Sequence, residues 1–395
     1  MSELSLLKQV EVKMIETLFW ISVTAILYTY VGYPVAVWLL ARLRRREILK
    51  ADIRPRVSIV IACHNEQEYI ERRINNLIEC DYPPGLREII IVSDGSTDLT
   101  AAIARLHFSF GVKLFAYEKQ RGKATALNVG VEIATGDIIL FADARQWFEP
   151  DAIKAIVANF ADASIGAVSG ELLLDSGKDA SIGEGVGLYW KYEKWIRKSE
   201  SAVSSVIGAT GAIYAIRREL WRPLPENTIL DDVYTPMAIA LDGHRVVFEE
   251  TARAHDVAAE SAGREFARKV RTLTGNYQLC QLMPRVLVPN SALLCQFYSH
   301  KLMRLASPIF FLFLLATNLI VAAGSAGGVQ LFYQAMCAAQ LIFYCGVFAG
   351  GYLLKRNRTV RLLNFAYVFS LMNAAALVGL IYFVFGKRNV WARGE

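Results

Sequence analysis

The stretch GDIILFADARQ, residues 136–146, decides the fold of this chain. Ile138, Ile139, Leu140 and Phe141 form an apolar run with no polar alternation, the pattern of a strand covered on both faces in a parallel sheet. Asp143 follows at the carboxyl end of that strand, where ligands lie in an open α/β sheet. A strand-end Asp also serves simply to start a turn, so Asp143 acquires chemical meaning only with partners.

Upstream, strand and helix patterns alternate. Residues 57–63 (VSIVIAC) read as a buried strand, and residues 67–79 carry helical spacing through Ile70, Ile74, Leu77 and Ile78. DYPPG at 81–85 stops that helix, and a second strand at 88–92 ends in SDGSTD, residues 93–98. Thr97 and Asp98 are placed to cap the next helix, residues 112–117 form a third strand, and 123–134 another helix. The strand before Asp143 is then the fourth. Glu149, Pro150 and Asp151 open a further helix, with proline in its first turn and carboxylates at the positive end of its dipole. This alternation predicts a mainly parallel, helix-covered α/β sheet. Beyond Phe160 the pattern loosens into a strand at 167–174, an aromatic amphipathic helix at 187–199, a glycine-rich loop and strand at 205–216, and a helix starting at Asp231 and Asp232.

The 395 residues are 54% hydrophobic, with a mean hydropathy of +0.31, too apolar for a wholly soluble chain. Residues 17–40 carry no charge and match a hydrocarbon core of ~30 Å. Arg42, Arg44, Arg45, Arg46, Lys50, Arg54 and Arg56 follow, opposed only by Glu47 and Asp52, which predicts a cytoplasmic location for what comes next. A cleaved signal peptide fits less well, because the apolar run is too long and the basic residues follow it. Three more apolar stretches lie at about 305–323, 329–354 and 362–385. The expected organisation is an anchor helix within 1–45, a cytoplasmic domain over 46–283, an interfacial segment at 284–301 and a membrane domain from 302 to 395. That is a multi-pass protein of the inner (plasma) membrane. Four crossings place the tail after Gly386 outside, whereas Lys387, Arg388 and Arg393 favour the inside.

The net charge of +6 is concentrated beside the apolar segments, so lipid headgroups account for it, and no nucleic-acid module is visible. Six cysteines show neither CxxC spacing nor a compact framework, as expected for reduced thiols in the cytoplasm. Residues 264–283 predict a two-faced helix. Arg264, Arg268, Arg271 and Gly275 share one face, and Phe266, Val270, Leu273 and Tyr277 the other.

Carboxylate-bearing sites therefore fall at strand ends or helix starts of one α/β unit: Asn65-Glu66, Asp94, Asp143 and Asp231-Asp232, with Lys123 in RGKATALN. Over residues 56–283 this ordered set resembles the inverting GT-A glycosyltransferases of family 2. The likeness is to their membrane-embedded branch, which includes cellulose, hyaluronan and poly-N-acetylglucosamine synthases. The resemblance implies a nucleotide-sugar donor, UDP-linked, and transfer with inversion to a β-linkage. It assigns Asn65 and Glu66, in CHNE, to the first nucleotide-contacting loop, and Asp94 to the uracil. Lys123 matches the lysine near the donor, and Asp143 the first Asp of the DxD motif, a ligand of Mg2+ or Mn2+. Asp231-Asp232 matches the TED motif, with Asp232 as general base and Asp231 on the acceptor side beside Gly211 of the glycine-rich loop. Arg268 and Arg271, in RKVRT, stand where the family has QxxRW, and face the donor. Two positions depart from the pattern: Arg145 replaces the second Asp of DxD, and Thr272 replaces the Trp of QxxRW.

Three functions fit these residues. A processive synthase would extend a β-linked glycan at the membrane, with Trp190 and Trp195 as stacking surfaces for the acceptor and with an export partner. A single-sugar transferase would load a lipid such as polyprenyl phosphate. A non-catalytic protein would use the domain as a binding platform, against which the presence of Asp94, Asp143 and Asp232 argues. The two tryptophans read equally well as anchors at the bilayer interface.

Overall fold

The computed structural model describes residues 3–175, 180–257, 262–289, 293–324, 328–356 and 360–386, with Ser291 and Arg358. Its centre is an eight-stranded sheet in the order β3-β2-β1-β4-β7-β6-β8-β5. The strands are β1 Val57–Cys63, β2 Arg87–Asp94, β3 Val112–Tyr117, β4 Ile138–Ala142, β5 Trp147–Phe148, β6 Ile165–Asp175, β7 Ile213–Arg217 and β8 Arg245–Val257. β1 pairs in parallel with β2 and β4, and β2 with β3. Every residue of β1 and β4 is buried, as their unbroken apolar sequences require.

Beyond β4 the sheet becomes mixed, since β7 runs antiparallel to both β4 and β6 while β8 returns parallel to β6. The periodic reading missed β8, because RVVFEETARAHDV carries charged residues and is only partly covered on its outer face. β5, two residues long and antiparallel to β8, is too short to leave a pattern.

The helices before the C-terminal membrane region are α1 Glu3–Leu27, α2 Tyr33–Leu43, α3 Ile70–Glu79, α4 Thr100–Arg105, α5 Lys123–Glu132, α6 Ala152–Val157, α7 Ala180–Val203, α8 Asp231–Leu241 and α9 Ala262–Leu282. Then come the short α10 Leu294–Gln296 and three long apolar helices, α11 Met303–Gly324, α12 Gly328–Lys355 and α13 Arg361–Val384. One face of the sheet, through Ile59, Ile61 and Leu140, packs on Ile70, Ile74 and Leu77 of α3 and Ile153, Ile156 and Val157 of α6. The other, through Val60, Ile90 and Phe141, packs on Leu127 of α5, Val233 and Met237 of α8, and Leu279 of α9. Val286, Leu293 and Phe297 of the segment expected at the interface join this second layer, while Leu287, Val288 and Tyr298 stay exposed.

Among the described residues four stretches are long and apolar enough to cross a membrane: Val10–Leu43, Leu294–Ala323, Gln330–Lys355 and Arg361–Val384. The first and second are each interrupted by a π-helical turn, at Tyr28–Gly32 and Phe297–Leu302. α9 does not stand free of these helices: Thr274 Oγ1, which donates to the Val270 carbonyl, lies 3.4 Å from the Gly379 carbonyl of α13, and the single Tyr277 hydroxyl proton is shared between the Leu305 and Ala376 carbonyls at 3.2 and 3.3 Å. The tail carrying Lys387, Arg388 and Arg393 lies outside the described residues.

Candidate active site

The loops after β1 and β2 are tied to each other before any ligand arrives. Asn65, with φ of 52°, donates its N–H to Ser96 Oγ at 3.1 Å, and its Oδ1 accepts from Thr97 N–H at 2.8 Å. The Glu66 N–H donates to Thr100 Oγ1, and Asp98 accepts from the N–H groups of Gln67 and Thr100. These bonds make CHNE and SDGSTD one rigid rim at the carboxyl ends of β1 and β2, the side on which α/β sheets bind ligands.

Asp94 ends β2, as the sequence leads one to expect, but its carboxylate is engaged by the chain itself. It is wholly buried, and its two oxygens accept from the Arg121 and Gly122 N–H groups at 2.7 Å each. The carboxylate thereby fixes the entry to α5. Gly95 makes this possible, since at φ +66° a Cβ there would lie 2.4 Å from Gln120 N. Lys123 begins α5 directly after this loop.

Lys123 Nζ stands 3.0 Å from Asp143 Oδ1 and 3.3 Å from Asp231 Oδ1. One ammonium thus joins the end of β4 to the start of α8, residues 88 positions apart in sequence (231 minus 143). Burial alone would lower its pKa, but the carboxylates of Asp143, Asp231 and Asp232 outweigh that and raise it. Asp143 is about one-third exposed, at 35%, whereas Asp231 is buried with Oδ2 lacking a partner. Arg145 turns away from this group: its Nε lies 3.5 Å from Glu66 Oε2 and its guanidinium 5.4 Å from the Tyr69 ring centre. Among the described residues no three His, Cys, Asp or Glu side chains converge as a metal cage.

Asp232, in the first turn of α8, is held by the glycine-rich loop. The Ala209 N–H donates to its carbonyl at 2.6 Å and the Gly211 N–H to its Oδ2 at 3.1 Å. Its pKa is pushed up to about 6, first by burial and then by Asp231 and Asp143, against the opposing charges of Lys123 and Lys301. A carboxylate poised near neutrality and held by one amide has the properties of a general base.

Residues 58–221 match the model of Glycosyl transferase family 2. The chain carries a family 2 glycosyltransferase domain. Relatives include the poly-beta-1,6-N-acetyl-D-glucosamine synthase of Staphylococcus aureus, 26% identical over 246 residues that cover 60% of this chain and 58% of that protein. The Staphylococcus epidermidis protein of the same name is 24% identical over 56% of this chain and 55% of its own length. This chain therefore spans a little over half the length of the curated relatives it matches. A mannosyltransferase from Pyrobaculum calidifontis, solved with GDP-Man and Mn2+, superposes with a TM-score of 0.71 at 22% identity, covering 94% of this chain and 99% of that one. The fold is GT-A.

Around the glycosyltransferase domain the other expected residues divide. Trp195 packs beside Tyr33 and Val37 of α2 instead of facing an acceptor, because the side of α7 that carries it meets the first membrane helix. Trp190 is half-buried with its indole N–H unpartnered, and Lys269 Nζ lies 5.5 Å from its ring centre. Arg268 is drawn into an i,i+3 pair with Glu265 at 2.5 Å, so it does not join Lys123 and Asp143. Arg271 forms no ion pair among the described residues. Gly275, on the arginine face of α9, is buried against Leu230, whose Cγ would stand 2.5 Å from an added Cβ. Arg264 and Arg268 on the same face stay exposed, so α9 meets the chain just before Asp231 only at its Gly275 end.

Three residues of the site were not read from the sequence. Tyr214 of β7 stacks on Phe141 at 4.6 Å and buries its hydroxyl, whose pKa is raised first by that burial and then by the charges of Asp231, Asp232 and Asp143. Arg197 of α7 donates to Thr210 Oγ1 at 2.8 Å and Ser169 Oγ at 2.6 Å, beneath the loop that holds Asp232. Lys301, in the second π turn, opposes by its charge the rise in the Asp232 pKa. Only Arg197 left a trace, as the middle member of a Glu193, Arg197, Glu200 stripe at helical spacing.

Proposed function

We propose that this protein is an inverting glycosyltransferase that moves a sugar from a nucleotide-sugar donor, UDP-linked, to a hydroxyl of a growing β-linked polysaccharide. Its domain works at the cytoplasmic face of the inner membrane, where the basic run from Arg42 to Arg56 follows the first span. The observation that carries this reading is the junction of Lys123, Asp143, Asp231 and Asp232 at the meeting of β4, α5 and α8. The curated relatives, named for synthesis of a β-1,6-linked N-acetylglucosamine polymer, support a polysaccharide product.

In this reading the acceptor hydroxyl attacks the anomeric carbon from the side of Asp232, which takes the proton as the bond to the diphosphate breaks. The Gly211 amide fixes the oxygen next to the one that receives it. Lys123 supplies positive charge toward the departing diphosphate, and the rim of Asn65 and Glu66 holds the nucleotide. Asp94 acts here through the 121–122 loop it anchors.

Asp143 fits a divalent cation held mostly by substrate, because Mg2+ accepts one or two carboxylates together with phosphates and waters. Asp143 would hold such a cation together with the donor, where it would supply charge to offset that building on the leaving diphosphate. Arg145 offers no ligand.

His300 lies between Glu193 and Glu200, Arg304 pairs with Glu193, and Lys269 lies 3.7 Å from Glu265, whereas Arg197, Arg271 and Lys301 form no ion pair among the described residues. Charge therefore does not choose between a sugar hydroxyl and a lipid phosphate, and the choice of a polysaccharide acceptor rests on the relatives. The test is to reconstitute the full-length protein in lipid, supply radiolabelled UDP-N-acetylglucosamine, UDP-glucose and GDP-mannose, and separate polymer from lipid extract. Counts in polymer are expected. Counts confined to the organic phase would replace the polysaccharide by a lipid acceptor, and no transfer from any donor would overturn the reading.

A further inference from the structure

Both interrupted membrane helices open a π turn at the level of α7, and the turns touch: Tyr28 Oη and Ser299 Oγ lie 2.6 Å apart. Such turns mark places where a helix is widened for a local purpose. Here they present polar groups to one stripe of α7. Tyr33 Oη donates to Glu200 Oε1 at 2.5 Å, and Tyr192 Oη to the Tyr30 carbonyl at 2.7 Å. His300 sits between two carboxylates, its Nδ1 2.8 Å from Glu200 Oε1 and its Nε2 3.2 Å from Glu193 Oε2. Arg304 closes the chain on Glu193.

Arg197 lies on the same stripe between Glu193 and Glu200 and holds Thr210, the neighbour of Gly211. From the other side, Gln296 Nε2 donates to the Ser205 carbonyl at 2.7 Å, and buried Phe297 packs in the core shared by Val206, Leu230 and Val233. The loop that grips Asp232 is therefore held between α7 and the start of the second span. The donor rim, by contrast, is bonded within the loops after β1 and β2.

We infer that the Glu193–His300–Glu200 bridge is a positioning device for catalysis. It locks the two membrane helices to α7 and so sets the 205–211 loop and Asp232 for the acceptor, leaving donor binding to separate elements. This rests on Asp232 being the base, as proposed above. It adds that the membrane helices set the geometry of the reaction.

The test uses full-length protein in nanodiscs, with kcat from labelled-sugar transfer, UDP affinity from calorimetry and thermal unfolding. His300→Gln takes the imidazole from the buried Glu200 carboxyl group and leaves it Tyr33 as partner, a costly change at a buried pair. The expected result is a kcat reduced by up to about 100-fold, the scale of an ångström of misplacement, with UDP affinity unchanged. Replacing both partners in His300→Gln/Glu200→Gln is expected to restore most of kcat. Wild-type kcat in the single variant would overturn the positioning role. So would a parallel fall of kcat, UDP affinity and unfolding temperature, which marks a purely structural bridge, or a double variant no better than the single. If wild-type protein transfers no sugar, the glycosyltransferase reading fails and the positioning role falls with it.

Discussion

The amide of Gly211 donates to Oδ2 of Asp232 at 3.1 Å, and a Cβ on Gly211 would stand 3.1 Å from that same oxygen. There is room for the hydrogen bond and little for a methyl group. Gly211→Ala is expected to displace the carboxylate by a few tenths of an ångström, lowering kcat more than it alters UDP affinity. Equal loss in both would show that the loop serves the donor instead.

Asp232→Asn keeps the shape of the side chain and removes its ability to take a proton. Transfer should fall by roughly 10²–10⁴-fold, the usual contribution of a general base, while UDP still binds. Wild-type turnover in this variant would remove Asp232 from the base role.

The pH profile follows from the same residue. Burial, Asp231 and Asp143 raise its pKa to about 6, against Lys123 and Lys301. The base works ionised, so kcat should be full above that pH and decline as pH falls through about 6. A flat profile between pH 5 and pH 8, roughly the range in which such a group titrates, would contradict the assignment.

Asp94→Ala removes the acceptor of two amides, those of Arg121 and Gly122. A buried donor left unsatisfied costs about 1–3 kcal/mol. The loop before Lys123 should loosen, lowering both thermal stability and UDP affinity, the latter by roughly tenfold for each 1.4 kcal/mol that reaches the bound state. Unchanged UDP affinity by calorimetry would separate this loop from the donor site.

Arg145 leans on Glu66 and Tyr69, leaving Asp143 to bind a cation with substrate alone. Arg145→Asp is expected to tighten Mg2+ and Mn2+ binding in a titration after EDTA treatment, because a carboxylate supplies the oxygen ligands that a guanidinium lacks. Full wild-type activity in EDTA would show that no cation is required.

The sequence by itself determined the parallel half of the sheet, because β1 and β4 are buried on both faces and so must be apolar throughout. It also determined the four apolar stretches, since a bilayer core imposes length and composition directly. Asp143 and Asp232 were legible for a related reason: a carboxylate at a strand end or in a helix's first turn has a position fixed by local structure.

Where each side chain points across elements was decided only by tertiary packing. In sequence Trp195 reads as a stacking surface for the acceptor and Arg268 as facing the donor, yet one packs on α2 and the other on its own helix neighbour Glu265. Asp94 looks like Asp143 in sequence, but the 119–122 loop closes over it and takes its oxygens. Lys123 joins Asp143 to Asp231 because β7 inserts antiparallel beside β4 and brings the start of α8 alongside. No local periodicity encodes such a crossing, which depends on the burial of both faces of the sheet at once.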